Sequence, residues 1–177
     1  GNLNHMLKYT NGEIIVIFDS DFTPSKNFIK KIVAPFKEDE RICAVQARWD
    51  FLNANQNLIS ILGSTIVSVV HYIVLPFIYK KRKISFLCGS AEAVRKDVLI
   101  KLGGWQSGSL TEDVEYSFRA LKHGYKIKYL EDFFYQAVGV PKVILGGSSE
   151  FTEASSKTAY LTFEQIYTRE QEELEEE

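Results

Sequence analysis

The sequence predicts an α/β fold in which a sheet is flanked by helices, and three stretches predict it. Residues 14–18 are an unbroken apolar run rich in β-branched side chains, which is typical of a strand covered on both faces in a parallel sheet. From Phe28 to Phe36, apolar side chains recur at helical spacing and predict an amphipathic helix. Residues 42–49 predict the next strand. Strand, helix and strand in this order are typical of α/β domains.

Length and composition restrict the class of protein. A chain of 177 residues suits one domain with its own core. The formal net charge of −2 lacks the basic excess of a nucleic-acid-binding protein, so we expect no nucleic acid partner. Two cysteines, Cys43 and Cys88, cannot form a disulfide framework, and we expect buried thiols in a reducing compartment such as the cytoplasm. The sequence opens without the basic and apolar pattern of a signal peptide, so we expect none.

Two carboxylates follow the first predicted strand directly. Asp19 and Asp21 are two residues apart, so in an extended chain both side chains leave on the same side. Ligands of open α/β sheets bind outside the carboxyl ends of the strands, and carboxylate oxygens suit Mg²⁺ or Mn²⁺. The pair alone is equally compatible with two residues that only end the strand and cap the next element.

The remaining elements follow from start and stop signals along the chain. Thr23 and Pro24 suit the N-cap and the first turn of the helix over 28–36. Residues 111–113 open a later helix, and Gly124 is its natural C-cap. We also predict a helix near residues 3–9, strands over 85–88 and 125–130, and a helix ending near Leu102 before Gly103 and Gly104.

The composition changes after Val140. Residues 146–149 are linker-like, and residues 170–177 are almost entirely acidic. We therefore predict a domain over 1–140 and a polar, acidic tail over 141–177 that is partly disordered.

Residues 58–79 are uncharged apart from His71, and they are followed by the basic run 80–83. The length is enough to span a bilayer, but three serines and a proline interrupt the apolar pattern. Three interpretations are open: a buried or groove-lining helix of a soluble domain, which we favour; an interfacial helix that contacts a membrane through 58–83; and a transmembrane span.

Four stretches of the sequence carry a resemblance to a known family: residues 1–21, residues 44–49 with Leu52 and Asn53, residues 88–97 with 103–105, and residues 110–119 with 123–125. In this order they resemble the inverting glycosyltransferases of the processive type, a group that includes cellulose, chitin and hyaluronan synthases and ceramide glucosyltransferase. The resemblance covers about residues 1–132 and implies a GT-A-like fold, that is, a partial Rossmann-like mixed sheet flanked by helices. It also implies transfer of a sugar from a nucleotide-sugar donor, most often a UDP-sugar, to a sugar or lipid hydroxyl.

The resemblance assigns roles to individual residues. Asp19 and Asp21 match the pair that holds Mg²⁺ or Mn²⁺ against the donor diphosphate. Asp113 matches the general base, and Glu112 precedes it in the same catalytic motif; apart from the resemblance, both read as ordinary acidic capping residues. The residues matched to substrate binding are Asp19, Gln46, Arg48, Trp49, Cys88, Gly89, Ser90 and Trp105. His71 and His123 we interpret as structural.

The sequence departs from this family in two places. It begins after the first nucleotide-binding strands, and it lacks the later Gln-x-x-Arg-Trp motif of the processive enzymes. We therefore expect a catalytic-domain fragment that is inactive by itself and binds a nucleotide sugar weakly or not at all. We also expect its exposed sheet edge to favour a homo-oligomer, and the full-length protein to work at the cytoplasmic face of a membrane.

Two other functions fit part of the sequence. Residues 18–23 also resemble haloacid-dehalogenase-like phosphatases, in which Asp19 would be the nucleophile and Asp21 the acid/base. A non-catalytic binding or assembly module that kept the fold is the third hypothesis.

Overall fold

The computed structural model describes residues 2–19, 22–51, 54–55, 57–106, 108–109 and 111–137. Asp21, Leu52, Asn53 and the predicted tail 141–177 lie outside these residues. The described part is built around one five-stranded sheet. Its strands are β1 Ile14–Ile17, β2 Phe22–Thr23, β3 Ile42–Phe51, β4 Glu92–Arg95 and β5 Lys126–Ala137.

The sheet is mixed, with the strand order β1-β4-β3-β5-β2. β3 and β5 are parallel, and the other three pairs are antiparallel. The prediction that β1 belongs to a parallel sheet is therefore wrong in direction, since β1 pairs antiparallel with β4. The apolar run showed correctly that both faces of β1 are covered, because Ile15 and Ile17 point to one core and Val16 and Phe18 to the other.

Helices cover both faces of the sheet. The first core lies under α2 (Phe28–Val33) and holds Phe28, Ile29 and Ile32. The second lies under α5 (Lys96–Lys101) and α6 (Glu112–Lys122) and holds Leu99 and Tyr116. The α-helices are α1 Asn2–Met6, α2 Phe28–Val33, α3 Leu58–Ser68, α4 Leu75–Arg82, α5 Lys96–Lys101 and α6 Glu112–Lys122. The prediction of a sheet flanked by helices is thus confirmed. The apolar residues at helical spacing in α2 face the core, as their periodicity predicted.

Two local predictions are wrong. Thr23 does not cap α2 but lies in β2, opposite Gln136 of β5, and Asn27 occupies the N-cap position. Residues 85–88 form no strand, and the strand is β4, immediately before α5. The physical reason for the second error is that the backbone N–H groups of Leu87 and Cys88 donate to side chains instead of to a neighbouring strand.

The uncharged segment forms one continuous helix, which we call the apolar helix (residues 58–82). It consists of α3, a π-helical stretch Val69–Val74, and α4. Pro76 lacks an N–H group and its ring would collide with the carbonyl of a regular preceding turn, and the wider π turn lies at that point. Within the described residues, Ser60–Arg82 is the one helix long and apolar enough to cross a membrane, but only 22% of its most apolar window is buried. Of the favoured prediction, a buried or groove-lining helix, full burial is therefore wrong, and a groove-lining helix stays a prediction.

Candidate active site

The centre of the candidate site is the loop Cys88-Gly89-Ser90, which lies just before β4. The backbone N–H of Cys88 donates to Gln46 Oε1 at 2.8 Å and to Glu92 Oε2 at 3.2 Å. The N–H of Gly89 donates to the same Glu92 oxygen at 2.9 Å. Two buried side chains thus replace the missing strand partner and fix the loop.

Ser90 connects this loop to the ends of β1 and β3. Its hydroxyl accepts a hydrogen bond from the backbone N–H of Asp19 at 2.8 Å. Its carbonyl accepts two, from Gln46 Nε2 and from Trp49 Nε1, both at 3.0 Å. The structure therefore brings together Asp19, Gln46, Trp49 and the loop. Gln46 is fully buried and its amide is bonded to backbone groups, so in this structure it supports the loop.

Asp113 lies against this loop from the first turn of α6. A Cβ atom built on Gly89 would be 3.5 Å from Asp113 Oδ2, and Gly89 has a φ of +86°. Ser117 fixes α6 at this point, because its hydroxyl donates to the Asp113 carbonyl at 2.7 Å and accepts from the Leu87 N–H at 2.9 Å. Gly89 thus provides both an unusual backbone angle and space beside the carboxylate.

The environment of Asp113 favours its use as a base. Burial raises the pKa of the Asp113 carboxyl above its ordinary value, against the lowering effect of the N–H groups of Val114 and Asp113 itself. The negative charge of Glu112 raises this pKa further. The base-weakening effect that a helix N-terminus has on a carboxylate is therefore outweighed here by desolvation. Glu112 itself is exposed.

Glu92 is a residue of the site that the sequence analysis missed. Its side chain is 1% exposed, and burial raises the pKa of its carboxyl to about 8, with further contributions from the negative charges of Asp113 and, to a smaller extent, Asp19. Three carboxylates therefore gather around the loop closely enough to repel one another. The signal that could have found it is a lone acid among Ala91, Ala93 and Val94, a stretch otherwise suited to a core.

The apolar helix contacts this site through His71. The imidazole stacks on the Trp49 ring at a centroid distance of 4.9 Å, and the backbone N–H of Trp49 donates to His71 Nδ1 at 3.4 Å. Tyr129 donates its hydroxyl to the His71 carbonyl at 2.6 Å. Burial lowers the pKa of His71 to about 4, so it is neutral near pH 7 and acts in packing. Arg48 lies nearby, with its guanidinium 4.6 Å from the centre of the Tyr72 ring.

Trp105 lies apart from these residues. Its ring is 5% exposed, belongs to the core under α5 and α6, and contacts Tyr116 at a centroid distance of 5.2 Å. Its backbone N–H donates to Asn4 Oδ1 at 2.9 Å. A role of Trp105 in substrate binding stays a prediction, and in this structure the residue anchors the N-terminal helix to the turn at Gly103 and Gly104.

The metal assignment rests on Asp19, because Asp21 lies outside the described residues. Among the residues that are described, no three His, Cys, Asp or Glu side chains are arranged to hold a metal ion. The Asp19 backbone is held by Ser90, and its side chain is half-buried. Burial raises the pKa of the Cys88 thiol, so this residue stays a neutral thiol and not a thiolate ligand. The fit to a divalent cation therefore depends on carboxylate oxygens, the donors that Mg²⁺ and Mn²⁺ prefer.

Comparison with known proteins decides the family. The family model described as "Glycosyltransferase like family 2" matches residues 1–171. The chain belongs to this family. It is 29% identical over 133 residues to cellulose synthase 2 of Novacetimonas hansenii, which covers 73% of this chain and 8% of that protein. It is also 29% identical over 127 residues to the probable glycosyltransferase YdaM of Bacillus subtilis, which covers 72% of this chain and 30% of the relative. The chain thus spans less than a third of the length of these curated relatives.

A solved structure agrees with the fold of this family 2 chain. The mannosyltransferase PcManGT from Pyrobaculum calidifontis, solved in complex with GDP-Man and Mn²⁺, superposes with a TM-score of 0.56 at 19% identity over 80% of this chain and 36% of that one. The predicted GT-A-like fold is confirmed. Membership of family 2 also favours the glycosyltransferase hypothesis over the phosphatase hypothesis for Asp19.

Gly89 offers a first test of the site. Gly89→Ala should lower the free energy of unfolding by about 1–2 kcal/mol, because an L-residue is strained at this φ. Gly124→Ala is a matched control: its φ is +81°, and a Cβ there meets nothing within 4 Å. We expect similar losses in urea denaturation for both variants but a loss of sugar transfer only for Gly89→Ala. Equal activity of the two variants would contradict the placement of Asp113 beside this loop.

Proposed function

We propose that this chain carries the metal and acceptor half of a glycosyltransferase that moves a sugar from a nucleotide-sugar donor to a hydroxyl acceptor with inversion at the anomeric carbon. The observation that carries the proposal is the meeting of Asp113, on α6, with the loop whose Ser90 holds Asp19 at the end of β1. A base and a candidate metal ligand, 94 positions apart in the sequence (113 minus 19), thus belong to one site.

In this proposal, Asp19 and Asp21 hold Mg²⁺ or Mn²⁺. When bound, the cation neutralises charge on the donor diphosphate and so makes the nucleoside diphosphate a better leaving group. The half-buried carboxylate of Asp19 and the Mn²⁺ in the complex of the mannosyltransferase neighbour support this assignment.

Asp113 takes the proton of the acceptor hydroxyl. The acceptor oxygen then forms a bond to the anomeric carbon from the face opposite the diphosphate, and the bond from that carbon to the diphosphate oxygen breaks. Displacement from the opposite face inverts the configuration. The pKa of Asp113, raised by burial, makes this carboxylate a stronger base than an exposed aspartate. Gly89 leaves room for the incoming hydroxyl beside Oδ2.

The donor in this proposal is a UDP-sugar, with a GDP-sugar as the alternative that the GDP-Man complex of the neighbour suggests. The acceptor is a sugar or lipid hydroxyl that contacts Arg48 and Trp49 beside the loop. The enzyme works at the cytoplasmic face of a membrane, which the similarity to a cellulose synthase and the two free thiols support.

The proposal is tested by the release of nucleoside diphosphate from a panel of UDP- and GDP-sugars, in the longest protein that contains this chain. Activity should be lost in EDTA, restored by Mn²⁺ or Mg²⁺, and fall by at least about a hundredfold in Asp19→Asn and Asp21→Asn. Glu40→Gln, an exposed acid outside the site, is the control. Full activity in EDTA would rule out the metal-dependent mechanism.

The chain studied alone should bind the donor poorly, since it spans less than a third of the length of its curated relatives. Calorimetry with Mn²⁺ and UDP-sugars or GDP-mannose should show dissociation constants weaker than the micromolar range. A micromolar constant would mean that this chain alone holds enough of the nucleotide site for tight binding.

A further inference from the structure

The outward face of the apolar helix is the largest apolar feature on the surface of the described residues. Thirteen large apolar side chains are exposed in this part of the chain, and ten of them belong to this one helix. Soluble proteins usually expose such side chains singly, so this concentration marks a contact surface. The ten residues are Leu58, Ile61, Leu62, Ile66, Val69, Val70, Tyr72, Ile73, Val74 and Phe77.

The opposite side of the same helix is fixed to the domain. Ser60, Ser64, His71, Leu75 and Pro76 are buried. The hydrogen bond from the Tyr129 hydroxyl to the His71 carbonyl and the stack of His71 on Trp49 hold the middle of the helix against the sheet. A helix surrounded by lipid would lose these contacts. A partner can therefore cover the apolar face while the helix stays packed on the domain. Insertion of the helix alone into a bilayer would break its contacts with the domain.

The positive charge at the end of this helix indicates which kind of partner covers the apolar face. Lys80, Lys81, Arg82 and Lys83 are all exposed, and residues 58–82 contain no acidic side chain. Lys80 pairs with Glu131 at 3.3 Å, and the Lys83 ammonium lies 5.6 Å from the centre of the Tyr79 ring. Among the described residues, Lys81 and Arg82 have no ion pair within the domain. A cationic run beside an apolar face is complementary to a bilayer with anionic headgroups. A second copy of this face carries the same sign of charge and offers no anionic surface.

We propose that residues 58–83 form a docking face that lies flat on a bilayer containing anionic lipid, with the apolar side chains in the acyl boundary and the basic run on the headgroups. The face then holds the candidate site at the membrane surface, since the inner side of the same helix contacts Trp49 through His71. This proposal goes beyond sugar transfer and does not depend on it.

Vesicle co-sedimentation of the full 177-residue chain tests the apolar part of this face. The protein should sediment with vesicles that contain phosphatidylglycerol in phosphatidylcholine, and the double variant Ile66→Ser/Phe77→Ser should bind at least about tenfold more weakly. The matched control is Ile100→Ser/Phe118→Ser, which removes side chains of similar exposure from α5 and α6. Equal losses in the two double variants would overturn the proposal.

The same assay tests the charge. Binding should be at least about tenfold weaker to vesicles of phosphatidylcholine alone and should fall as salt rises. Lys81→Ser/Arg82→Ser should remove most of the preference for phosphatidylglycerol, whereas Lys30→Ser/Lys37→Ser, outside the face, should not. Binding that ignores phosphatidylglycerol would contradict the cationic contact.

Two further results separate the other occupants of this face. An alkaline wash should release the bound protein, and protein that resists the wash would indicate a spanning helix and overturn the flat arrangement. Light scattering should show that the apolar face does not mediate dimerisation: the native protein and the variant Ile66→Ser/Phe77→Ser should have the same mass in solution. A native dimer that this variant dissociates, without vesicle binding, would show that a second copy covers the face.

Discussion

Asp113→Asn should reduce the turnover number for sugar transfer by about a hundred- to ten-thousandfold, the usual effect of losing a general base. Asparagine has the shape of aspartate and keeps its place at the start of α6, beside Gly89, but it cannot take the proton of the acceptor hydroxyl. The Michaelis constant for the donor should change little, because the role proposed for Asp113 is on the acceptor. The measurement is the rate of nucleoside diphosphate release with saturating acceptor, in the longest protein that contains this chain.

Two variants make this result specific. Asp97→Asn removes an exposed acid from the first turn of α5 and should leave the rate unchanged. Glu112→Gln removes the neighbouring acid of the same motif and should reduce the rate much less than Asp113→Asn, because Glu112 is exposed. If Glu112→Gln abolishes transfer and Asp113→Asn does not, the two roles are reversed.

The pH dependence of transfer follows from the raised pKa of Asp113. A base must be deprotonated to act, so the rate should fall as the pH drops through this pKa, and the fall should begin at a higher pH than for an exposed aspartate. The charge of Glu112 contributes to the raised value, so Glu112→Gln should shift the acid limb of the rate profile to lower pH. A rate profile that Glu112→Gln leaves unshifted would contradict this electrostatic contact.

The sequence was most informative where the signal is local. The run at 14–18 predicted a strand covered on both faces, and its alternating contacts with two cores confirm this. The same run could not predict the direction of β1, because an apolar strand presents the same pattern to a parallel and to an antiparallel partner. The direction is set by β4, more than 70 residues later, whose Arg95 lies opposite Ile14.

The sequence and the resemblance name candidate site residues, but they could not give the arrangement of those residues. The contacts of the site join residues far apart in the chain, such as Asp19 with Ser90 and Cys88 with Gln46. The sequence therefore could not show that the Gln46 amide is hydrogen-bonded to backbone groups or that Trp105 is buried. Glu92 was missed for a related reason: its apolar neighbours indicate a core position, but only the tertiary structure shows the two backbone hydrogen bonds that its side chain accepts there.

Glu92 should make the protein less stable as the pH rises, and this is the largest effect that we expect on folding. Its pKa is about 8 in the folded protein and near 4.5 when exposed. Between these values the unfolded chain releases this proton and the folded protein keeps it, so the free energy of unfolding decreases with increasing pH. The full shift corresponds to a loss of up to about 5 kcal/mol between pH 4.5 and pH 8.

Glu92→Gln separates this titration from the packing of the side chain. The amide has the shape of the protonated acid and can still accept from the N–H groups of Cys88 and Gly89, so the variant should match the native protein near pH 5. At pH 8 it should be the more stable of the two by several kcal/mol, because it has no proton to lose. Urea denaturation across this pH range, with EDTA present to exclude bound cations, measures the difference, and Glu40→Gln is the exposed control. If the free energy of unfolding depends on pH in the same way for the native protein and Glu92→Gln, the Glu92 carboxylate is already ionised in the folded protein. Protonation of Glu92 would then not be what reduces its repulsion with Asp113 and Asp19.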